Sequence, residues 1–407
     1  MTDVEVLTPA ELRAAYDLFA GTILVPPRTE DDWDAADAGY VPDRTLGVRE
    51  SGELVATATS FPCRTAVPGG AVLPMAAVTR VGVRGDRTRR GLLTAMMRRQ
   101  LADVVEFGEP LASLRASEAR IYGRFGYGAA TRGRGVRVRR GGGFRADAPR
   151  GGRVRLIARA EIVPVLSAVY DQIALRRAGG ITRPAGWWKA MLRPRPGRAD
   201  HALAAVHTGP DGDDGFFVAS VGDGSGFARR IVRLSDLHAA DVGATAGLWR
   251  FLLEVDLTES VEASLRPLDE PLELLLADPR DCAVTGEDDE AWLRLVDVPA
   301  ALAARAFPAG PFAVDPVLLA VHDPLLPANT GVYRLGEGTA ERVGPLGGEL
   351  EPELECDVAG LAMAYLGDRA PSALAASGWW RVREPAALER ADALFATSTS
   401  PWCGTFF

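Results

Sequence analysis

The sequence predicts an α/β (α+β) chain built of three units, and three observations lead to that reading. Up to the Gly128 region the chain runs helix, strand, strand, strand, helix, strand and then the Tyr122 segment. Glycine clusters at Gly141-Gly142-Gly143 and Gly151-Gly152 then interrupt it, and a fresh helix-and-strand pattern starts at Val154. A third start lies near Gly286. At 407 residues the chain is also too long for one ordinary core. The expected units are therefore 1–150, 151–285 and 286–407.

Taken in order, Thr8 is a helix N-cap with Pro9 at the first position, opening an amphipathic helix over 9–20. Strand-like segments follow at 44–50, 54–62 and 73–83. The third enters a Gly/Arg-rich turn, from which a helix opens at Leu92 and runs to about 106. A strand around 111–115 and the Tyr122 segment complete the unit. Arg132 to Arg140 alternates Arg with Gly or Val. That pattern suits a basic patch or, as the preferred reading, the solvent face of a late strand. In the second unit a helix is expected over 161–175, followed by the Trp187-Trp188 pair. Strands at 202–206 and 216–221 are joined across 210–215, and a helix at 244–254 places Leu248, Leu252 and Leu253 on one face. No second Gly-rich turn occurs there. The third unit begins with Trp292-Leu293-Arg294-Leu295 as a strand running into a helix at 300–306. Strands are expected at 312–321 and 332–335, and helices at 357–365, 371–376 and 385–395. The chain ends Pro401-Trp402-Cys403-Gly404-Thr405-Phe406-Phe407.

The composition, 47% hydrophobic and 25% charged, is that of a globular protein. A net charge of −8 argues against a nucleic-acid binder and is compatible with steering a cationic amine. Four scattered cysteines without C-x-x-C spacing argue against a disulfide framework or a zinc site. The four histidines lack ligand spacings and none precedes His201, so no metal and no Ser-His or Cys-His catalysis is expected in the first unit. The start is acidic and polar rather than secretory, and no apolar run reaches bilayer length. A cytoplasmic protein without membrane or nucleic-acid partners is expected.

The most informative stretch is Val81-Gly82-Val83-Arg84-Gly85-Asp86-Arg87-Thr88-Arg89-Arg90-Gly91-Leu92-Leu93. A strand feeding a Gly/Arg-rich turn that opens a helix aims unpaired N–H groups and the positive helix end at one point, where a pyrophosphate fits. About 30 residues later, Tyr122 sits on a glycine-bounded turn, Tyr122-Gly123-Arg124-Phe125-Gly126-Tyr127-Gly128. Taken singly, the turn also suits a solvated loop and the tyrosine a packing role. Together they read as a coenzyme A site with a proton donor beside the thioester.

This pair resembles the N-acetyltransferases of the GNAT superfamily, whose turn has the pattern Arg/Gln-x-x-Gly-x-Gly/Ala and whose Tyr-x-x-x-Gly-Phe/Tyr carries the general acid. The turn departs from the pattern at Thr88 and Leu93. Ala116-Ser117-Glu118, the Trp292–Leu295 segment with Val298-Pro299-Ala300-Ala301-Leu302, and the aromatic end extend the likeness over the full length to the enhanced-intracellular-survival (Eis) acetyltransferases. The resemblance implies tandem GNAT and GNAT-like mixed-sheet domains, the second without cofactor, and a sterol-carrier-protein-like α+β domain. It also implies a homo-oligomer, typically a hexamer.

It further implies that acetyl-CoA, as co-substrate, is held by Val81, Gly82, Val83, Arg87, Thr88, Arg89, Arg90, Gly91, Leu92 and Ser117. Tyr122 is then the acid, and the α-carboxylate of Phe407 reaches into the active site as general base. The acceptor pocket comprises Ile23, Trp33, Arg80, Arg115 and Phe406. Ile23 and Phe406 replace carboxylates of the aminoglycoside-modifying members, Arg80 an aromatic and Arg115 a histidine, while Glu30, Asp31 and Asp32 lie near Ile23. Such changes in a low-dielectric cleft disfavour a polycation on the order of several kcal/mol. The expected activity is acetyl transfer to a small primary amine that is neutral or acid-bearing. An aminoglycoside-resistance enzyme and a non-catalytic CoA- or lipid-binding scaffold are the alternatives.

Overall fold

A computed structural model describes residues 3–25, 29–141, 143–191, 201–226 and 229–407, so Gly142 of the expected boundary lies outside the described residues. Strand pairing sorts them into three sheets. The first has the order Glu5–Val6, Thr45–Glu50, Glu53–Ala66, Val72–Val83, Leu111–Leu114, Trp292–Leu295, Gly128–Ala129. All its neighbours are antiparallel except Val72–Val83 with Leu111–Leu114. The second repeats that plan as Arg153–Leu156, His201–Gly209, Gly212–Gly226, Arg229–Ala239, Thr258–Pro267, Arg132–Arg139, Cys282–Asp289, again with one parallel pair at the fourth and fifth strands. A parallel neighbour requires a crossover, supplied by the helices Leu92–Glu106 and Val242–Glu254.

The two halves exchange their sixth strands. Trp292–Leu295, expected to open the third unit, pairs with Leu111–Leu114 and Gly128–Ala129 in the first sheet. Arg132–Arg139, expected in the first unit, lies between Thr258–Pro267 and Cys282–Asp289 in the second. Local alternation specifies a strand but not its neighbours, and these partners are distant in sequence. Paired on both sides, Arg132–Arg139 buries Val136 and Val138, while its arginines meet acids. Arg134 pairs with Glu273 at 2.9 Å, Arg137 with Glu262 at 2.7 Å and Arg132 with Asp368 at 2.8 Å. No basic patch results.

The third sheet runs Thr339–Gly344, Gly331–Gly336, Val317–His322, Leu354–Asp357, Trp380–Val382. It carries the helices Val298–Ala304, Val358–Tyr365, Pro371–Ala376 and Ala386–Phe395. Asp297 caps the first of these through Ala300 N at 2.9 Å. The strand expected over 312–321 starts only at Val317, because Pro311 and Pro316 lack N–H donors and Gly310–Phe312 closes a 3₁₀ turn. The largest apolar core runs without a break from Phe61, Met75 and Leu293 of the first sheet to Leu319, Tyr365 and Cys403. Across the same junction Arg294, fully buried, pairs with Asp323 at 2.7 Å and donates to Phe125 O at 2.9 Å.

Near the N-terminus, Thr8 and Glu11 form a capping box, and the expected helix is a 3₁₀ turn, Pro9–Glu11, followed by Leu12–Thr22. A helix with no apolar period in the sequence, Glu30–Asp37, is capped by Thr29.

Candidate active site

Val72–Val83 and Leu111–Leu114 pair only from Met75–Ala77 to Leu111–Ser113. Beyond that point the strands part. A register slip opposite Thr57 and Thr59, with Arg80 at φ +51°, marks a bulge in the first of them. Val81, Gly82 and Val83 thus keep one paired edge, through Gly82 to Thr57 and Val83 to Ala56, and turn the other toward the gap. Such an edge accepts an extended amide-bearing chain as an added strand. Gly82 is required by close approach, since a Cβ there would lie 2.5 Å from Thr22 Oγ1.

The turn carries two left-handed residues, Arg89 at φ +62° and Gly91 at φ +82°. Gly91 is the N-cap of Leu92–Glu106 and supplies no side-chain cap, so the first-turn N–H groups face outward with the positive helix end. Leu92 is buried and anchors that end. The arginine side chains are partly committed: Arg87 pairs with Glu50 at 2.8 Å and Asp86 at 2.6 Å, and Arg90 with Glu50 at 3.3 Å. Thr88 Oγ1 donates to Gly85 O. Arg89 is exposed and has no partner among the described residues. An anion at this turn would thus meet chiefly backbone N–H groups, with the Arg89 guanidinium unpaired among the described residues. Ser117 is exposed just beyond the end of Leu111–Leu114.

Tyr122 is buried in the apolar cluster that also holds Val78 and Leu114 of the two strands, Met97 and Trp292, and stands edge-on to Tyr127 at 6.2 Å. Gly126, at φ +84°, returns the chain against the Arg294 guanidinium, which holds this turn. Burial, then the nearby Glu118, pushes the Tyr122 phenol up to about 12. It stays protonated, and its hydroxyl bonds to no described residue.

The corresponding fork of the second sheet is built differently. Arg229–Ala239 passes almost directly into Val242–Glu254, and the Asp241 carboxylate accepts from Ala244 N at 2.8 Å. A negative group thus occupies the place an anion would take. Strand pairing there stops at Leu234 and Ala263. Into the opening go Arg266, donating to Leu237 O at 2.8 Å, and Trp402, whose indole N–H donates to Leu265 O at 3.2 Å while its ring lies 4.7 Å from His238.

Trp402 begins a docked tail. Trp402 N donates to Ala178 O at 2.9 Å, and Cys403 N and Gly404 N donate to the two oxygens of Glu290 at 3.0 and 2.7 Å. Arg115 donates to Thr405 O at 3.0 and 2.8 Å and pairs with Glu290 at 2.8 Å. Arg183 reaches Gly404 O and Thr405 Oγ1, both at 3.0 Å, and Tyr170 meets the same hydroxyl. Trp187 Nε1 donates to Phe406 O at 2.6 Å, and the Phe407 ring stands edge-on to Phe61 at 5.9 Å. Burial, then Glu290, pushes the Cys403 thiol up to about 12. Arg115 and the Trp187-Trp188 pair stand out in the sequence; the other groups gripping the tail belong to no motif and sit far apart in the chain.

Beneath the tail, Arg183 pairs with Asp236 at 2.6 Å, and His238 Nε2 lies 3.1 Å from both. Burial lowers the His238 pKa although Asp236 opposes it. Burial works to raise Asp236, but Arg183 and then His238 hold it below the usual carboxylate range. In both groups the unfolded chain binds a proton more readily than the folded one. Stability is thus complete above about pH 6.5 and lost as pH falls, first through His238 and below about 4 through Asp236. Melting temperature across pH 8 to 4 should decline accordingly; a flat profile from 8 to 5 would contradict this account of His238.

On the acceptor side, Trp33 lies between Tyr16 and Tyr40, 5.7 Å from each. Ile23 is exposed. Arg80 lies 4.3 Å over the Tyr40 ring and donates to Gly39 O at 3.3 Å. Burial lowers its pKa, and no carboxylate among the described residues meets it. Arg115, by contrast, has its charge matched by Glu290. Phe406 is 71% exposed beside the Arg115 guanidinium. Of the nearby acids, Glu30 pairs with Arg13 and Asp32 closes the Thr29 capping box. Among the described residues no His/Cys/Asp/Glu group could hold a metal, and no helix is long and apolar enough to cross a membrane.

Residues 3–130 and 179–295 each match an acetyltransferase (GNAT) domain, and 298–404 match a sterol carrier protein domain. The chain is 37% identical over 414 residues to an uncharacterized N-acetyltransferase of Streptomyces avermitilis, covering 98% of both. It is 35% identical over 364 residues to N-acetyltransferase Eis of Mycobacterium tuberculosis, covering 86% of this chain and 85% of that one. The crystal structure of Eis1 from Mycobacterium abscessus superposes over the whole of both chains with TM-score 0.89 at 37% identity. A GCN5-related N-acetyltransferase from Anabaena variabilis, 20% identical, shares the fold over the full length of both with TM-score 0.84.

Proposed function

Since the chain belongs to the Eis-type N-acetyltransferases of the GNAT superfamily, we propose that it transfers the acetyl group of acetyl-CoA directly to a small primary amine that is not a polycation. The observation that carries this reading is the fork of the first sheet. There Val81–Val83 has an edge without a strand partner among the described residues, Gly91 opens a helix without a side-chain cap, and Tyr122 is protonated and bonds to no described residue. The pyrophosphate is assigned to the N–H groups around Leu92, with Arg89 beside them and Ser117 on the opposite wall. The pantetheine arm is assigned to the Val81–Val83 edge, whose N–H groups polarise the thioester carbonyl.

The amine nitrogen gives a proton, directly or through water, to the Phe407 carboxylate and forms a C–N bond to the thioester carbon. The C–S bond then breaks, and the departing thiolate takes the Tyr122 proton. A terminal carboxylate has an unperturbed pKa of about 3.3–3.7, which desolvation raises toward a useful base. In this scheme 1–150 holds the co-substrate, and the tail is gripped from all three units, by Arg115, by Tyr170, Arg183 and Trp187, and by Glu290. The unit at 286–407 delivers the base. The same reading carries a homo-oligomer, hexameric by resemblance, and a cytoplasmic setting.

Arg80 supports the assignment of acceptor class. It is a cation that meets no carboxylate among the described residues, and Ile23 and Phe406, assigned to the same pocket, supply no charge. The test is CoA release from acetyl-CoA across a panel of neutral, acid-bearing and polycationic amines. Turnover is expected with the first two groups and only weakly with aminoglycosides; efficient turnover of aminoglycosides alone would overturn the acceptor assignment. Arg80→Leu should lower kcat/KM for acid-bearing amines about tenfold or more and leave neutral ones near native.

A further inference from the structure

We propose that Glu290 is the positioning residue for the general base: it sets where the Phe407 carboxylate lies. The inference rests on the reading of that carboxylate as base. Glu290 is 1% exposed, and its two oxygens receive four donors. Oε2 accepts from Cys403 N and Thr131 Oγ1, each at 3.0 Å; Oε1 accepts from Gly404 N at 2.7 Å and Arg115 Nη2 at 2.8 Å. Arg115 passes the grip on by donating to Thr405 O. Three consecutive tail residues are thus fastened through one carboxylate, ending two residues before Phe407. Charge-assisted bonds of this kind are shorter and stronger than neutral ones.

The place of Glu290 in the fold makes it a fixed point. It lies where the chain leaves Cys282–Asp289 in the second sheet for Trp292–Leu295 in the first. Thr131 lies at the reciprocal crossing, between Gly128–Ala129 and Arg132–Arg139. The two crossings are bonded together, Glu290 N to Thr131 O at 2.9 Å and Ala291 N to Thr131 Oγ1 at 3.0 Å. A residue anchored in both sheets transmits their geometry to the tail. With its oxygens occupied by four donors, Glu290 acts through the tail rather than on substrate.

The test compares the full chain, Glu290→Gln, a chain extended by a few residues after Phe407, and the two changes combined. The readouts are kcat and KM with the best amine of the panel, acetyl-CoA affinity and melting temperature. Glu290→Gln should lower kcat about 10- to 100-fold with acetyl-CoA affinity unchanged, as a misplaced base would. It should cost nothing further in the extended chain, because the group it positions is already displaced. Glu290→Asp, which keeps the charge, should recover part of the loss. A native kcat in Glu290→Gln, or an equal fold-loss with and without the extension, would overturn the positioning role and leave the terminal base standing. An extension that leaves kcat untouched would overturn the base assignment, and this role with it. Should Glu290→Gln fail to fold, Thr131→Val removes one of the four donors. A smaller kcat loss confined to the unextended chain is then expected, and an equal loss in both chains overturns the proposal.

Discussion

A short extension after Phe407 should reduce kcat/KM for the amine by about 10²-fold or more while leaving acetyl-CoA affinity and melting temperature near native. The extension converts the terminal carboxylate to an amide, which cannot take a proton from the amine, and general-base contributions are typically about 10²–10⁴-fold. The tail should nevertheless stay docked. Its grip lies upstream, on Cys403, Gly404 and Thr405, and none of those bonds involves the last carboxylate. The proposed co-substrate site at Gly91 lies on another element, so binding isotherms for acetyl-CoA should superpose. Native turnover in the extended chain would remove the terminal base from the mechanism without touching the enzyme class.

Tyr122→Phe should lower kcat about 10²-fold with little change in stability or in KM for acetyl-CoA. The effect belongs to the low end of acid catalysis, because a thiol of pKa about 8.5 is a fair leaving group unaided. The ring would keep its packing at the fork and its edge-on contact with Tyr127. The lost hydroxyl bonds to no described residue, so nothing is orphaned by its removal. Since burial holds the phenol at about 12, the proton is present throughout the accessible pH range. The native rate profile should therefore show no alkaline fall from this group below about pH 11. A Phe variant with native kcat, or a native profile that falls between pH 8 and 9 and becomes flat in the variant, would each contradict the assignment.

Much of the first unit was legible because its determinants are local. A helix N-cap is set by a few residues, so Gly91 before Leu92–Glu106 could be read as an uncapped, anion-facing end. The glycines bounding Tyr122 likewise declare a turn within six positions, and Gly126 does adopt φ +84°. The docking of the end, implied by the resemblance, is matched by the burial of Trp402, Cys403 and Thr405, although Phe406 stays exposed. The helix Glu30–Asp37, which places Trp33, was missed because acids fill its first turn and leave no apolar period to see.

What the chain itself determined was the order of its elements, the uncapped helix start at Gly91 and the glycine turn after Tyr122. Each depends on backbone conformation or hydrophobicity over a few consecutive residues. Only the tertiary structure decided which strand joins which sheet, since period-two alternation fixes a face and leaves the neighbour open. It also decided the meaning of the charges. Arg115 and Glu290, 175 positions apart, cancel one another and hold the tail, and the arginines of Arg132–Arg139 meet acids from distant segments. Arg80, unlike Arg115, meets no carboxylate among the described residues. Burying an ion without a partner is costly, and where a partner exists it is chosen by the fold rather than by the local sequence.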